Sequence, residues 1–172
     1  MVSINDNTDS QKEGTFSIVS INVSEKTGTR KRPVQTAVLI PGKGIDGDAH
    51  AGILDDRQVS LLAIEDIEQA NNSLKTKPGC CTKALGLEQL NPGDFAENIT
   101  TRGINLHNLP IGTELRIEDA ILEVSRIGKE CHAACEIRTL VGDCIMPRRG
   151  IFARVIQGGT ITNESNCYYR IR

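Results

Sequence analysis

A chain of 172 residues with a formal net charge of −2 is long enough to bury one sizeable core and is expected to form a single domain. The near balance of charge argues against a general affinity for nucleic acid or anionic membrane. No apolar run approaches the roughly 20 residues that span a bilayer.

Residues 1–14 are polar, with no apolar h-region, so a secretory leader is not expected. They read as a disordered lead-in to one domain over residues 15–172. A cytoplasmic location with reduced thiols follows as the expectation. Residues 16–23 (Phe-Ser-Ile-Val-Ser-Ile-Asn-Val) alternate and are β-rich, predicting a first strand. Residues 34–40 predict a second, stopped by Pro41-Gly42. A glycine- and aspartate-rich loop over 42–52 leads to a short apolar strand over 59–63. Residues 64–70 predict a helix, with Ile64 and Ile67 on one face and Glu65, Asp66 and Glu68 on another. Residues 73–92, with Pro78, Gly79 and the Cys80-Cys81 pair, read as an exposed loop, with a helical turn over 84–90. Residues 95–101 are expected to be extended. Residues 115–117 and 120–127 predict a hairpin around Glu118-Asp119, and 131–140 a helix. Residues 151–156 predict a strand, and Gly158-Gly159 turns into 160–162. Many short strands between Gly, Pro and Asp turns, with few helices, predict a mainly β protein. The expected form is a closed or nearly closed β-barrel with a few short capping helices.

Six cysteines stand at 80, 81, 131, 135, 144 and 167. Their spacing fits neither a secreted disulfide framework nor a zinc knuckle. Cys131 and Cys135 are the candidate reactive pair. Four residues apart at the start of a predicted helix, they share one face of its first turn. A helix N-terminus favours the thiolate, and Lys129 and Arg126 add positive charge. Two bland readings stand beside this one: a small buried hydrophobe, or a pair that oxidises to a disulfide. Cys144, next to Pro147-Arg148-Arg149-Gly150, is a weaker candidate.

Three further segments carry candidate binding groups. In Gly44-Ile45-Asp46-Gly47-Asp48-Ala49-His50-Ala51-Gly52, three glycines and two acids frame one His. This is either a backbone-lined anion or pterin pocket around Asp48 and His50, or a plain loop whose Gly and Asp serve turn geometry. Arg57, opening the third strand, offers a fork of donors to a phosphate or carboxylate. Its alternative is an ion pair with Asp55 or Asp56. Asn98, Thr100 and Arg102 alternate with apolar positions, so a strand would point them together to one surface, either a binding face or an ordinary solvent face.

In this order, the segments resemble the MOSC family, named for the C-terminal domain of molybdenum cofactor sulfurase, in its small stand-alone bacterial form. The residues that carry the resemblance are 44–52 with the His, Arg57-Gln58-Val59-Ser60-Leu61-Leu62, Gly93-Asp94-Phe95-Ala96-Glu97-Asn98-Ile99-Thr100, Leu122-Glu123-Val124 leading to Cys131, and Gly150-Ile151-Phe152-Ala153-Arg154-Val155. The resemblance implies a barrel-like fold. It also implies a cysteine soon after a late strand, at Cys131 here, that carries sulfur or ligates molybdenum of a pterin cofactor. Glu130 stands where the family often has Pro, and Cys135 is an extra thiol.

Three functions follow as expectations. The first is a sulfur carrier, in which Cys131 takes sulfur as a persulfide from a cysteine desulfurase or other donor. It passes that sulfur to a molybdoenzyme or cofactor-assembly protein, with Cys135 resolving the persulfide. His50, Arg57, Asn98, Thr100 and Asp48 form the cofactor-binding set. The second is a molybdenum-dependent reductase of N-hydroxylated compounds, with Cys131 as metal ligand. The third is a non-catalytic cofactor-binding or insertion module. No pyridoxal phosphate site is read in the chain, and neither nucleic acid nor membrane is an expected partner.

Overall fold

The computed structural model describes residues 12–76, 89–130 and 144–172. In chain order these form β1 (Glu13–Val23), β2 (Arg32–Val34), β3 (Thr36–Ile40), β4 (Gly44–Ile45), β5 (Val59–Ala63), α1 (Ile64–Thr76), β6 (Ile99–Arg102), a 3-10 turn (Leu106–Asn108), β7 (Glu114–Ile117), β8 (Ala120–Ile127), α2 (Met146–Arg149), β9 (Ile151–Gln157), β10 (Gly159–Thr162) and β11 (Cys167–Arg170).

Seven strands close into a barrel in the order β1, β6, β5, β9, β8, β7, β11 and back to β1. The fold is therefore mainly β and closed, as the sequence predicts. A ring of seven strands cannot alternate direction all the way round, so one neighbouring pair must be parallel. That pair is β5 and β6, with Leu61 opposite Ile99 and Ala63 opposite Thr101. Parallel neighbours need a long crossover, and residues 64–98, opened by α1, supply it. β3, β4 and β10 form a separate three-stranded sheet. It adds Ala37, Leu39, Ile45 and Ile161 to the barrel core.

Strand alternation sorts the side chains into two cores. Val59, Leu61 and Ala63 of β5 point into the barrel, with Leu115, Leu122, Val124 and Ile151. Leu62 points outward, into a second cluster with Ile64, Ile67, Leu90, Phe95, Met146 and Phe152. Every residue of β5 is buried because both of its faces are covered. In β1 the register shifts between Ile18 and Ser20. This bulge lets both Ile18 and Ile21 face the barrel despite their odd spacing.

Several expectations are corrected. β1 opens at Glu13 rather than Phe16. The single strand expected over 34–40 is two. β2 pairs with β1 and β3 with β10, so the chain changes sheets at Gln35. α1 runs on to Thr76, because Asn71 holds the returning chain by hydrogen bonds with the backbone of Leu90. Only Ile99–Arg102 of the expected 95–101 is strand. The 118–119 hairpin forms as expected, Ile117 facing Ala120 and Glu118 adopting φ +50°. β11, which closes the barrel, is not anticipated by the sequence pattern. The predicted 131–140 helix lies outside the described residues, as does most of the 84–90 turn. Among the described residues, no helix is long and apolar enough to cross a membrane.

Candidate functional site

Where the outer core ends, on the wall formed by β5 and β9, a cavity of about 170 Å³ opens. Phe95, Met146 and Phe152 of the outer core form one side, and Ile53 and Leu54 sit at the exposed rim. His50, Arg57, Ser60, Asn98 and Lys129 give the polar side, and Cys144 adds a thiol. No aspartate or glutamate is among the described lining residues.

The 44–52 segment builds the His50 corner. Gly44 has φ +122°, and a Cβ there would fall on the Gln58 carbonyl, so β4 packs hard against the approach to β5. Asp48 turns inward behind His50. Its Oδ1 accepts from the Ser24 amide at 3.0 Å and from Lys31 Nζ at 2.6 Å. Its Oδ2 accepts from the His50 amide at 3.2 Å. Lys31 Nζ also donates to Ser24 Oγ at 3.3 Å and lies 3.1 Å from His50 Nδ1. The Lys31–Asp48 pair is sealed from solvent, with side chains 0% and 1% exposed. Burial disfavours the Asp48 carboxylate. Hydrogen bonds from His50 and Lys31, with the Lys31 charge, overcome that and hold its pKa well below the usual range. Burial pushes Lys31 down, and its bond to Asp48 offsets this only in part.

A second buried network shapes the opposite wall. Asn98 Oδ1 accepts from the Ser60 amide and hydroxyl, each at 3.1 Å, and its Nδ2 donates to the Asn22 carbonyl at 3.1 Å. Asn98 therefore braces β5 against β1 where it meets the cavity. Glu97, fully buried, accepts on Oε1 from the Gly93 amide at 2.6 Å and the Thr100 hydroxyl at 2.8 Å. Its Oε2 is buried without a partner among the described groups. Burial pushes the Glu97 carboxyl up to about 7. Between them Ala96, at φ +61°, lines the cavity in a left-handed conformation unusual for a side chain with a Cβ.

Arg57 differs from these groups. Its Nε is buried and has no hydrogen-bond partner, and its guanidinium lies 5.9 Å from the Phe152 ring centroid. Asp55 pairs with Arg154 at 2.9 Å and Asp56 with Arg126 at 3.2 Å. Asp56 reaches Arg57 Nε only at 3.9 Å. The ion pair weighed from the sequence is thus distant, and the cationic Arg57 side chain lines the cavity.

Of the sequence-predicted set, His50, Arg57 and Asn98 meet at the cavity, and Asp48 stands behind His50. Thr100 does not line it. Its hydroxyl donates to Glu97 and accepts from Asn22 Nδ2 at 3.2 Å. Arg102 turns outward to Glu68 at 3.2 Å. The three residues expected to share a surface therefore diverge, because Asn98 precedes β6 and both faces of that strand are covered up to Thr101. Cys131 and Cys135 lie outside the described residues. Lys129 and Cys144, which flank that stretch in the chain, both line the cavity. Sequence reasoning missed Lys31 and Glu97. Lys31 sits in an Arg-Lys-Arg run that reads as exposed charge, and nothing local marks either residue as buried.

A family model for the MOSC domain matches residues 46–167. The chain belongs to the MOSC domain family. The matched span includes His50, Arg57, Ser60, Asn98, Lys129 and Cys144, the polar and thiol groups named on the cavity wall. The uncharacterized protein YflK of Bacillus subtilis is 24% identical over 135 residues, which are 70% of this chain and 56% of YflK. This MOSC chain thus spans little more than half of that relative. The crystal structure of the YUAD protein from Bacillus subtilis superposes with a TM-score of 0.72 at 16% identity, covering 94% of this chain and 98% of that one. YiiM from Escherichia coli gives 0.64 at 17% identity, over 92% and 71% of the two chains. YiiM from Geobacillus stearothermophilus gives 0.64 at 19%, over 90% and 74%. These structures share the fold. The family is associated with functions related to the molybdenum cofactor.

Proposed function

We propose that this MOSC domain is a sulfur-carrier and sulfur-transfer protein of molybdenum cofactor metabolism. The observation that supports this is the cavity, where Arg57, Lys129 and one thiol, Cys144, stand on a lining with no described carboxylate. The stretch bearing Cys131 and Cys135 is flanked in the chain by two lining residues, Lys129 and Cys144. A cationic, partly apolar site favours a thiolate over a thiol, and the thiolate is the nucleophile in sulfur exchange. Cys131 accepts sulfane sulfur as a persulfide from a desulfurase or other donor. It then delivers that sulfur to a molybdenum–pterin or metal–sulfur centre held by an acceptor protein. Attack by Cys135 on the persulfide bond releases sulfide and leaves a disulfide between the two cysteines.

The described residues fit the anionic end of a molybdenum–pterin cofactor, since Arg57, Lys129 and His50 line a cavity with no carboxylate among its described lining residues. Arg57, Lys129 and His50 would hold its phosphate, and molybdenum would supply oxygen- or sulfur-atom transfer. Among the described residues no three His, Cys, Asp or Glu side chains group as a metal site. By the family resemblance, metal ligation would fall to Cys131. The test is intact mass after exposure to a cysteine desulfurase and cysteine. Wild type gains one sulfur and Cys131→Ser does not. Full sulfur uptake by Cys131→Ser would refute the assignment. Molybdenum and pterin analysis of protein from a cofactor-producing host separates a carrier, which is empty, from a resident-cofactor reductase or insertion module.

A further inference from the structure

We infer that Glu97 is a proton-operated clasp on the cavity wall: with its carboxyl neutral it closes the turn over residues 93–97, and on ionisation it lets that turn open. The clasp is independent of the sulfur-carrier reading, because it acts on the wall itself and on no reacting group.

Glu97 reaches back across its own turn, and its Oε1 accepts from the Gly93 amide at 2.6 Å. The same oxygen accepts from the Thr100 hydroxyl at 2.8 Å. One carboxyl oxygen therefore ties the start of the turn to the strand that follows it, β6. The Gly93 carbonyl accepts from the Ala96 amide at 3.0 Å and from the Lys31 amide at 2.8 Å. Gly93 has φ +91° and Ala96 has φ +61°. Glycine adopts that left-handed conformation freely; alanine holds it only while the surrounding contacts do. Phe95 and Ala96, inside the turn, and Asn98, directly after it, line the cavity. What the Glu97 carboxyl fastens is thus one wall of that cavity.

The charge on this clasp has nothing to answer it. Glu97 is fully buried, and its Oε2 has no partner among the described groups. Asp48, the other buried acid behind the cavity, differs: it meets the Lys31 ammonium at 2.6 Å. The charged groups that act on Glu97 are Lys31 and Asp94. Lys31 is already held by Asp48. Asp94, which lies 3.8 Å from Arg30, adds negative charge beside Glu97. β1 and β6 meet Glu97 through Asn22 and Thr100, both neutral. A carboxylate so placed is disfavoured, and burial pushes the carboxyl up to about 7.

The sign follows from which state holds the proton. The closed turn binds it more tightly than the open turn, where a solvated carboxyl is ordinary at 4.5. Closure is therefore favoured most below about pH 4.5, and the advantage is lost as pH rises to about 7. With those two values, the open-to-closed ratio rises about tenfold between pH 6 and pH 8.

The experiment is amide hydrogen exchange by NMR on the full chain at pH 6 and pH 8. Rates are expressed as protection factors, which remove the intrinsic pH dependence of exchange. The Gly93 and Ala96 amides are expected to be less protected than those of β5 at both pH values, the mark of a local opening. Their protection is expected to fall about tenfold from pH 6 to pH 8, and by less than about twofold in Glu97→Gln. Carbon-13 NMR of the wild-type Glu97 carboxyl needs no variant. It should titrate near pH 7, with the Phe95 and Ala96 amide signals moving on the same curve. Protection at Gly93 and Ala96 equal to that of β5 would mean that the turn opens only with the whole fold, and overturns the clasp. So does protection that is the same at both pH values, or an undiminished tenfold fall in folded Glu97→Gln. Should Glu97→Gln fail to fold, the wild-type titration decides. A carboxyl that titrates below about pH 5.5, or wall signals that do not follow it, overturns the inference.

Discussion

Replacing Glu97 by Gln isolates the electrostatic cost of the cavity wall. Glu97 is wholly buried, and burial lifts its carboxyl from an ordinary 4.5 to about 7. At about 1.4 kcal/mol per pH unit that elevation amounts to about 3 kcal/mol. The direction follows from proton counting. The folded protein holds this proton more tightly than the unfolded chain. Between about pH 4.5 and 7 the native state therefore binds more protons, and stability falls as pH rises. Below that window the carboxyl is neutral in both states and carries no penalty; above it the penalty is complete. Glutamine keeps an oxygen for the Gly93 amide and the Thr100 hydroxyl. Its amide takes the place of Oε2, which has no partner among the described groups. That adds a cost of about 1–3 kcal/mol that does not change with pH. The quantity to measure is the wild-type stability minus that of Glu97→Gln, by urea denaturation at pH 4.5, 6 and 8. The chain has no tryptophan, so far-UV circular dichroism is the probe. The difference is expected to drop by about 3 kcal/mol from the lowest to the highest pH. A difference that stays flat to within about 1 kcal/mol would refute burial as the source of the shift.

Three other perturbations test the scaffold. Asp48→Asn leaves the Lys31 ammonium sealed without its counter-charge. It is expected to cost about 3–5 kcal/mol in urea denaturation at pH 7, against a near-neutral effect for the exposed Asp46→Asn. Because Asp48 is held low in the folded state, its contribution is present above the ordinary carboxylate range. It is lost as pH falls towards the folded value, so the deficit of Asp48→Asn should narrow in acid. Gly93→Ala places a Cβ on the Lys31 carbonyl at φ +91°. It is expected to cost about 1–3 kcal/mol, and a melting temperature equal to wild type would show that the loop relaxes freely. Cys167 is buried in β11 with its thiol pushed up to about 12. In the native protein at pH 8 it should resist iodoacetamide and become alkylated only in denaturant, as peptide mapping would show.

What the sequence discloses and what it hides follow one physical division. Strands whose alternation is local are legible: Leu122 and Val124 inward against Glu123 and Ser125, or the apolar run of β5 stopped by the acidic start of α1. β11 is not legible. In Cys167–Arg170 only Cys167 is buried, and its order comes from partners far along the chain, Phe16 on one side and Ile117 on the other. Among site residues, His50 and Arg57 stand out because glycines frame one and the other opens a strand with a fork of donors. Lys31 is hidden, since Arg30 and Arg32 beside it are surface charges and only the fold brings Asp48 within 2.6 Å. Thr100 is misread for the opposite reason. Its spacing implies a shared open face with Asn98, but Glu97 and Asn22 enclose it.

The position of the cavity follows from the parity of the barrel. Seven strands force one parallel pair, and a parallel pair forces a crossover over the outside of the wall. That crossover cannot stay exposed, so it buries Ile64, Ile67, Leu90 and Phe95 against the outer side of β5 and β9. The cover returns through the turn that Glu97 organises, and it reaches β6 only at Ile99. Ser60 and Phe152, opposite each other across the β5–β9 pairing, are left at the margin of that cover, where the chain before β5 supplies Arg57 and His50. An eight-stranded, fully antiparallel ring would need no crossover at that place. It would have neither the second core nor the sheltered, low-dielectric edge in which an unpaired arginine donor can be held. The cavity is thus a consequence of how the barrel closes, and the variants that should move it most are those in the turn at Gly93 and Glu97 rather than those inside the barrel.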